Sequence, residues 1–217
     1  MDKNYVIEVE HISKKFATHT VLNDVTLRCE TGKIYGLVGY NGSGKTVLLK
    51  CICGLLKPDA GKIRVRGKEL GTEMLQGAGI IIENPAFLSQ LSGRKNLELL
   101  YMLNHKRNRE WIRKVMKQVG LDANSKKRVK DYSLGMRQRL AIGQAIMENP
   151  DILILDEPMN GLDKKGIQEV REMLLELKKQ EKVILLASHN REDIQVLCDE
   201  VYEIEDGKIK CYDMKIE

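Results

Sequence analysis

Apolar positions change their period twice along the chain: runs and alternations first, helix-spaced stripes in the middle, then runs again. Tyr5 to Ile12 alternates in part and predicts a strand, and Val21 to Arg28 predicts another, with Val21, Val25 and Leu27 as its apolar positions. After a turn at Thr31-Gly32, the run Ile34-Tyr35-Gly36-Leu37-Val38 predicts a buried strand. Val47 to Ile52 predicts a helix, which Gly54 and Pro58-Asp59-Ala60-Gly61 bring to an end. Lys62 to Arg66 predicts a short strand, and Gly79-Ile80-Ile81-Ile82 a compact buried one closed by Asn84-Pro85.

From Gly93 to Met147 the spacing becomes helical. Leu97, Leu100, Tyr101 and Asn104 form one stripe, and Trp111, Ile112, Val115 and Val119 a second, ended by Gly120. Trp111 is expected in the core or at a subdomain interface. From Asp151 the alternation of strand and helix resumes: strand Ile152–Leu155, helix Lys164–Gln180, strand Val183–Ala187, helix Arg191–Cys198, then strands around Val201–Ile204 and Lys208–Tyr212. Asp206-Gly207 is a hairpin signal between the last two. Strands alternating with helices predict an α/β fold with a largely parallel sheet and its ligand at the strand C-terminal ends.

Composition changes this picture little. The chain has 217 residues, enough to bury one sizeable core, with 31% charged and 42% hydrophobic residues. No run of about 18 apolar residues occurs, so no bilayer-spanning helix is expected. The start, Met1-Asp2-Lys3-Asn4, leads into a charged strand and does not read as a signal peptide. The net charge is +5, and basic stretches such as Lys126-Lys127-Arg128 could face a membrane or nucleic acid, but with acidic residues interspersed a solvated face is the better reading. The five cysteines, Cys29, Cys51, Cys53, Cys198 and Cys211, form no CxxC pair and read as free, mostly buried thiols of a reducing compartment.

The candidate chemistry begins at Gly39-Tyr40-Asn41-Gly42-Ser43-Gly44-Lys45-Thr46, a gapless match to G-x-x-x-x-G-K-[ST] set between a strand and a helix. The glycines let successive backbone N–H groups turn inward around phosphate oxygens, and the helix N-terminus at Val47 adds unpaired donors. Lys45 is expected on the β- and γ-phosphates and the Thr46 hydroxyl on Mg²⁺. Four apolar residues, Ile152 to Leu155, then lead to two carboxylates. Asp156 stands where a strand-end aspartate holds Mg²⁺ in such sites, and Glu157 is free to orient and polarise an attacking water.

Two further segments make the pattern specific: Ser133-Leu134-Gly135-Met136-Arg137-Gln138-Arg139, just before a helix ahead of the strand Ile152–Leu155, and Ser188-His189 after the strand Val183–Ala187. The chain resembles the nucleotide-binding domain of an ABC transporter over essentially its whole length, with every motif in order. The resemblance implies an ABC-type, RecA-like P-loop NTPase core with an antiparallel β subdomain and an inserted helical subdomain. Residues 1–217 would form one ATPase domain, with 1–87 and 149–217 as the core and 88–148 as the helical part. It implies that Phe16 stacks on adenine, although core packing serves this aromatic nearly as well. Glu83 stands at the Q-loop glutamine, Ser133, Leu134, Gly135 and Met136 at the signature segment, Asp163 in the D-loop and His189 at the switch histidine. Ser133 and Asp163 each also suit the cap of a following helix.

The departures are Tyr132, Leu134 and Met136 in the signature, and Glu83 for glutamine. Together they resemble the bacterial subfamily of bacitracin-resistance and lantibiotic-protection ATPases. The resemblance implies ATP and Mg²⁺ as cofactors, a homodimer or pseudo-dimer closing head to tail on ATP, and an integral membrane permease. It also implies a cytoplasmic location on the inner face of the membrane. A soluble ABC-type assembly or regulatory ATPase without a permease is the alternative. A small-molecule kinase explains neither Ser133–Gly135 nor His189. A module that binds ATP without turnover is at odds with Lys45, Asp156, Glu157 and His189. Glu83 carries one further expectation: that it senses bound Mg-ATP and couples it to the helical segment, where the bland reading makes it a solvated strand end.

Overall fold

The computed structural model describes residues 5–71, 73–83 and 85–213. Two sheets carry the architecture. The first is antiparallel, in the order β2-β1-β4-β5, from β1 (Tyr5–Phe16), β2 (His19–Glu30), β4 (Ala60–Val65) and β5 (Lys68–Glu69). The second has the order β10-β9-β3-β8-β7-β6, from β3 (Ile34–Val38), β6 (Ala78–Ile81), β7 (Ile152–Asp156), β8 (Val183–Ala187), β9 (Glu200–Glu205) and β10 (Lys208–Asp213). Its strands pair in parallel except β10, which turns back on β9 through the Asp206-Gly207 hairpin. Both turn residues have positive φ, 48° and 73°, as a two-residue hairpin of the I′ type requires.

Strand side chains alternate between faces, and this divides the core in two. Tyr35 and Leu37 of β3, Ile152 and Ile154 of β7, and Val183 and Leu185 of β8 join the antiparallel sheet and α1 (Lys45–Ile52) in one cluster. The neighbouring positions Ile34, Leu153, Leu155, Ile184 and Leu186 face the other way. There they pack with α3 (Arg109–Gln118), α4 (Leu134–Ile146), α5 (Lys164–Lys179), α6 (Arg191–Leu197) and Leu97 of α2 (Gly93–Tyr101). The parallel strands read as near-continuous apolar runs because both faces are covered. Gly79 of β6 lets α4 approach, since a Cβ there would collide with the backbone at Ala145.

The helical stretch α2 to α4 lies between β6 and β7, as the change of period predicts. Trp111 ties α3 to the end of α4: its indole N–H donates to the Met147 carbonyl at 2.6 Å while the ring packs on the core. Four cysteines are buried and Cys211 is exposed, matching the thiol expectation. Cys51 lies within α1 and Cys53 one residue past it, as its C-cap.

β1 and β2 are longer than their alternation predicts. Register shifts interrupt their pairing, and His11 and Asp24 sit at positive φ, 54° and 59°, joined by a 2.7 Å contact between Nδ1 and Oδ1. Such irregularities break period two and hide the strand from a periodicity reading. β5, two residues long, leaves no periodic trace at all. Asn84, expected with Pro85 to close β6, lies outside the described residues.

Candidate functional site

β3 ends at Val38 and α1 begins at Lys45, so the loop 39–44 is strung between a buried strand and a helix N-terminus. Gly39, Gly42 and Gly44 have φ of 151°, 87° and 109°, values that an L side chain adopts only with strain. At Gly39 a Cβ would also lie 2.5 Å from the Ile204 carbonyl and the Ser43 hydroxyl. Lys45 is buried, and its ammonium donates back to the Gly39 and Tyr40 carbonyls at 2.7 and 3.2 Å. The loop thus forms a ring closed by its own cation.

β7 and β8 bring the second half. The Thr46 hydroxyl donates to Asp156 Oδ2 at 2.7 Å, spanning 110 residues of sequence. One residue on, Glu157 leaves the strand in the left-handed region, with φ of 50°. Its N–H donates to the Ala187 carbonyl at the end of β8, at 2.9 Å. Its carboxylate Oε1 accepts from the His189 N–H at 3.1 Å and lies 2.9 Å from His189 Nδ1. Because β7 and β8 are parallel neighbours, their C-terminal ends place Asp156, Glu157 and His189 side by side.

A cavity of ≈ 520 Å³ opens over this arrangement. Phe16, Asn41, Gly42, the stretch Gly44 to Val47, Glu83, Asp156 and Glu157 contribute to its wall. Phe16, 46% exposed, sits at the end of β1 with Lys14 Nζ 5.6 Å from its ring centroid. It is not a core aromatic. Glu83 has φ of 59° and is 65% exposed at its side chain, which pairs with Lys50 at 2.5 Å. Thr46, Asp156 and Glu83 all border this cavity and offer one hydroxyl and two carboxylates, an all-oxygen set that suits a hard divalent cation.

The signature residues are elsewhere. Ser133 caps α4, its hydroxyl accepting from the Met136 N–H at 3.2 Å, and Leu134 is 58% exposed. None of Ser133, Leu134, Gly135 and Met136 lines the cavity over the P-loop. Asp163 caps α5 through the Gly166 N–H at 2.9 Å and also stays outside. His189 reaches the site through Glu157 and borders a neighbouring cavity with Tyr40. Asn160, from the stretch that resembles the D-loop, also lines the cavity, and His19, Val21 and Gln138, which sequence reasoning missed as site residues, complete the wall. Gln138 inside α4 and His19 at the start of β2 carry no periodic or motif signal that marks them as site-facing, and Val21 reads only as an apolar strand position.

The family profile described as ABC transporter matches residues 22–160. The chain is 41% identical to the uncharacterized ABC transporter ATP-binding protein YybJ of Bacillus subtilis (strain 168), over 94% of its length and 95% of that protein's. It is 40% identical to the bacitracin transport ATP-binding protein BcrA of Enterococcus faecalis, over 96% and 69%. To the lantibiotic transport ATP-binding protein SrtF of Streptococcus pyogenes it is 36% identical, over 94% and 89%. A solved ATP-binding subunit of an ABC transporter superposes with a TM-score of 0.87 at 27% identity, covering 96% of this chain and 90% of that one. The dimeric bacterial cassette MJ0796 shares the fold, with a TM-score of 0.88 at 20% identity over 96% and 98% of the two chains. With a P-loop and strand-end carboxylates around one cavity, a histidine held on one of those carboxylates, and these relatives spanning the chain, the protein belongs to the ABC transporter family, as one of its ATP-binding ATPase subunits.

Proposed function

We propose that the chain is a Mg²⁺-dependent motor that hydrolyses ATP as a head-to-tail dimer and drives a separate integral membrane permease from the inner face of the cell membrane. The observation that carries this reading is the contact set at the strand ends: Thr46 on Asp156, and Glu157 held by His189, beside the P-loop. Lys45 and the loop N–H groups bind the β- and γ-phosphates, and Phe16 stacks on the base. Thr46, Asp156 and Glu83 would hold Mg²⁺, which supplies charge neutralisation on the phosphate oxygens. Glu157 orients a water and takes its proton as the water oxygen attacks the γ-phosphorus; the bond to the bridging oxygen breaks, and ADP leaves with that electron pair. His189 steadies Glu157 and faces the γ-phosphate.

The remote position of Ser133–Met136 supports the dimer, since a chain cannot offer its own signature to its own nucleotide. Residues 88–148, inserted between β6 and β7, would move as the helical subdomain that the permease engages. The bacitracin and lantibiotic transport relatives support export or clearance of a peptide antibiotic as the work done. Direct engagement of nucleic acid is not part of this function. In light scattering, Glu157→Gln with Mg-ATP should shift from monomer to dimer, and adding Ser133→Arg should abolish the shift. A pull-down from membranes should recover an integral membrane protein. A dimer indifferent to both substitutions, or recovery of soluble partners alone, would reject the reading.

A further inference from the structure

Gln138 lies on α4, five residues past the Ser133 cap, and lines the cavity that holds Glu157. Its carboxamide faces two backbone carbonyls: Nε2 is 3.3 Å from Glu157 O and 2.9 Å from Pro158 O. Both partners only accept, so the amide nitrogen must be the end turned towards them. Glu157 needs such support. A non-glycine residue in the left-handed region persists only where its surroundings over-determine it. The Glu157 N–H is held by Ala187 and its carboxylate by His189, and the carbonyl side is held by Gln138 and by the Asn160 N–H at 3.1 Å.

The same helix face touches the same loop a second time. A Cβ on Gly135 would stand 3.0 Å from the Gly161 carbonyl, and one on Gly161 would stand 2.5 Å from Leu134 carbons. Leu134, Gly135 and Gln138 are three and four apart and therefore share one face. α4 thus grips the loop 157–161 at both ends, while Arg139, the next residue of the helix, donates to the Val119 carbonyl at 3.0 Å and pairs with Glu169 at 2.7 Å.

We propose that Gln138 is a positioning residue that ties the catalytic carboxylate of a chain to the signature end of its own α4. The idea rests on Glu157 being the hydrolytic carboxylate. In the dimer, a nucleotide bound to the second copy presses on Ser133–Met136 of this chain. Gln138 passes that pressure to Glu157, which serves this chain's own nucleotide. The two hydrolytic sites are coupled through one side chain.

The test uses the full chain with three substitutions: Gln138→Met, similar in length without a donor; Gln138→Glu, the same shape without a donor; and Gln138→Lys, which keeps one. Steady-state ATPase, direct binding of a fluorescent ATP analogue and amide hydrogen exchange over residues 157–163 are read together. Gln138→Met and Gln138→Glu should lower kcat by about tenfold, as for loss of the positioning contacts made by one amide group, with KM and analogue binding within about twofold. Any Hill coefficient above one in the wild type should fall to one. Exchange at 157–163 should speed up, and Gln138→Lys should return both kcat and exchange towards wild type. Unchanged exchange in Gln138→Met would overturn the clamp whatever the activity. So would a parallel loss of kcat, binding and thermal stability that lysine does not rescue. An inactive wild-type chain would sink the hydrolytic reading instead, while the exchange arm would still decide the clamp.

Discussion

Oε1 of Glu157 is shared by two groups of one residue, the His189 N–H at 3.1 Å and the His189 ring Nδ1 at 2.9 Å. The pair exists because β7 and β8 run parallel and end at the same height, with Asp156 in register with Ala187. Glu157→Gln keeps size and an acceptor but loses the base. Turnover should drop by about 10²–10⁴-fold while ATP binding is retained, as single-turnover and binding assays would show. Near-normal hydrolysis would remove Glu157 from the role of base.

Lys45 closes the P-loop on the Gly39 and Tyr40 carbonyls, so that among the described residues its charge sits in the ring without a carboxylate partner. Lys45→Ala should weaken ATP binding by roughly 10–100-fold, the cost of a charged hydrogen bond to phosphate. Titration with a fluorescent ATP analogue measures this. An unchanged dissociation constant would contradict it.

Glu83 is a different case. Its side chain is mostly exposed and paired with Lys50, so the pair should stabilise the fold by no more than about 1 kcal/mol. Glu83→Gln should leave the melting temperature nearly unmoved and preserve much of the ATP binding, but shift the dependence of hydrolysis on free Mg²⁺. Glu83→Ala should impair hydrolysis more strongly. Wild-type Mg²⁺ curves for both variants would make Glu83 only a strand terminus.

Arg171 of α5 reaches Asp193 of α6 at 2.6 Å and Glu192 at 2.9 Å, behind the Ser188-His189 turn. The Asp193 side chain is only 3% exposed, so Arg171→Met should cost about 3–5 kcal/mol, the price of a buried charge left alone. That corresponds to a melting temperature lower by about 6–20 °C. The hydrogen bond from Arg171 also holds the Glu192 carboxyl below its ordinary value of 4.5. A carboxyl depressed in the folded state contributes stability that is present above the ordinary value and lost as pH falls through the lower folded one. Acid titration of stability should therefore show a smaller loss below pH 4.5 in Arg171→Met than in wild type. Parallel curves would dismiss this linkage.

Burial raises the thiols of Cys51, Cys53 and Cys198 to about 11, 12 and 12, and lifts Cys29 well above its ordinary value. At pH 8 they are protonated and enclosed, whereas Cys211 is exposed. A thiol reagent should modify Cys211 rapidly in the native protein and all five cysteines after denaturation. Rapid native labelling of Cys51 or Cys53 would show that the core around α1 opens.

Local chemistry determined a good deal of this by itself. The P-loop is legible because only glycine tolerates the backbone at positions 39, 42 and 44, and because a strand and a helix must flank it. The parallel core is legible because strands covered on both faces must be apolar throughout. The caps Ser133 and Asp163 are legible because a helix start needs a side-chain acceptor within three residues. Tertiary structure decided the rest, and the reason is distance along the chain. Thr46 meets Asp156 across 110 residues, and Lys50 meets Glu83 across 33, contacts that no periodicity encodes. Gln138 is one polar residue among others in its helix until folding sets two carbonyls in front of it. The separation of the signature from the P-loop cavity is likewise a fact of packing, since the order of motifs along the chain is silent on which of them share a wall.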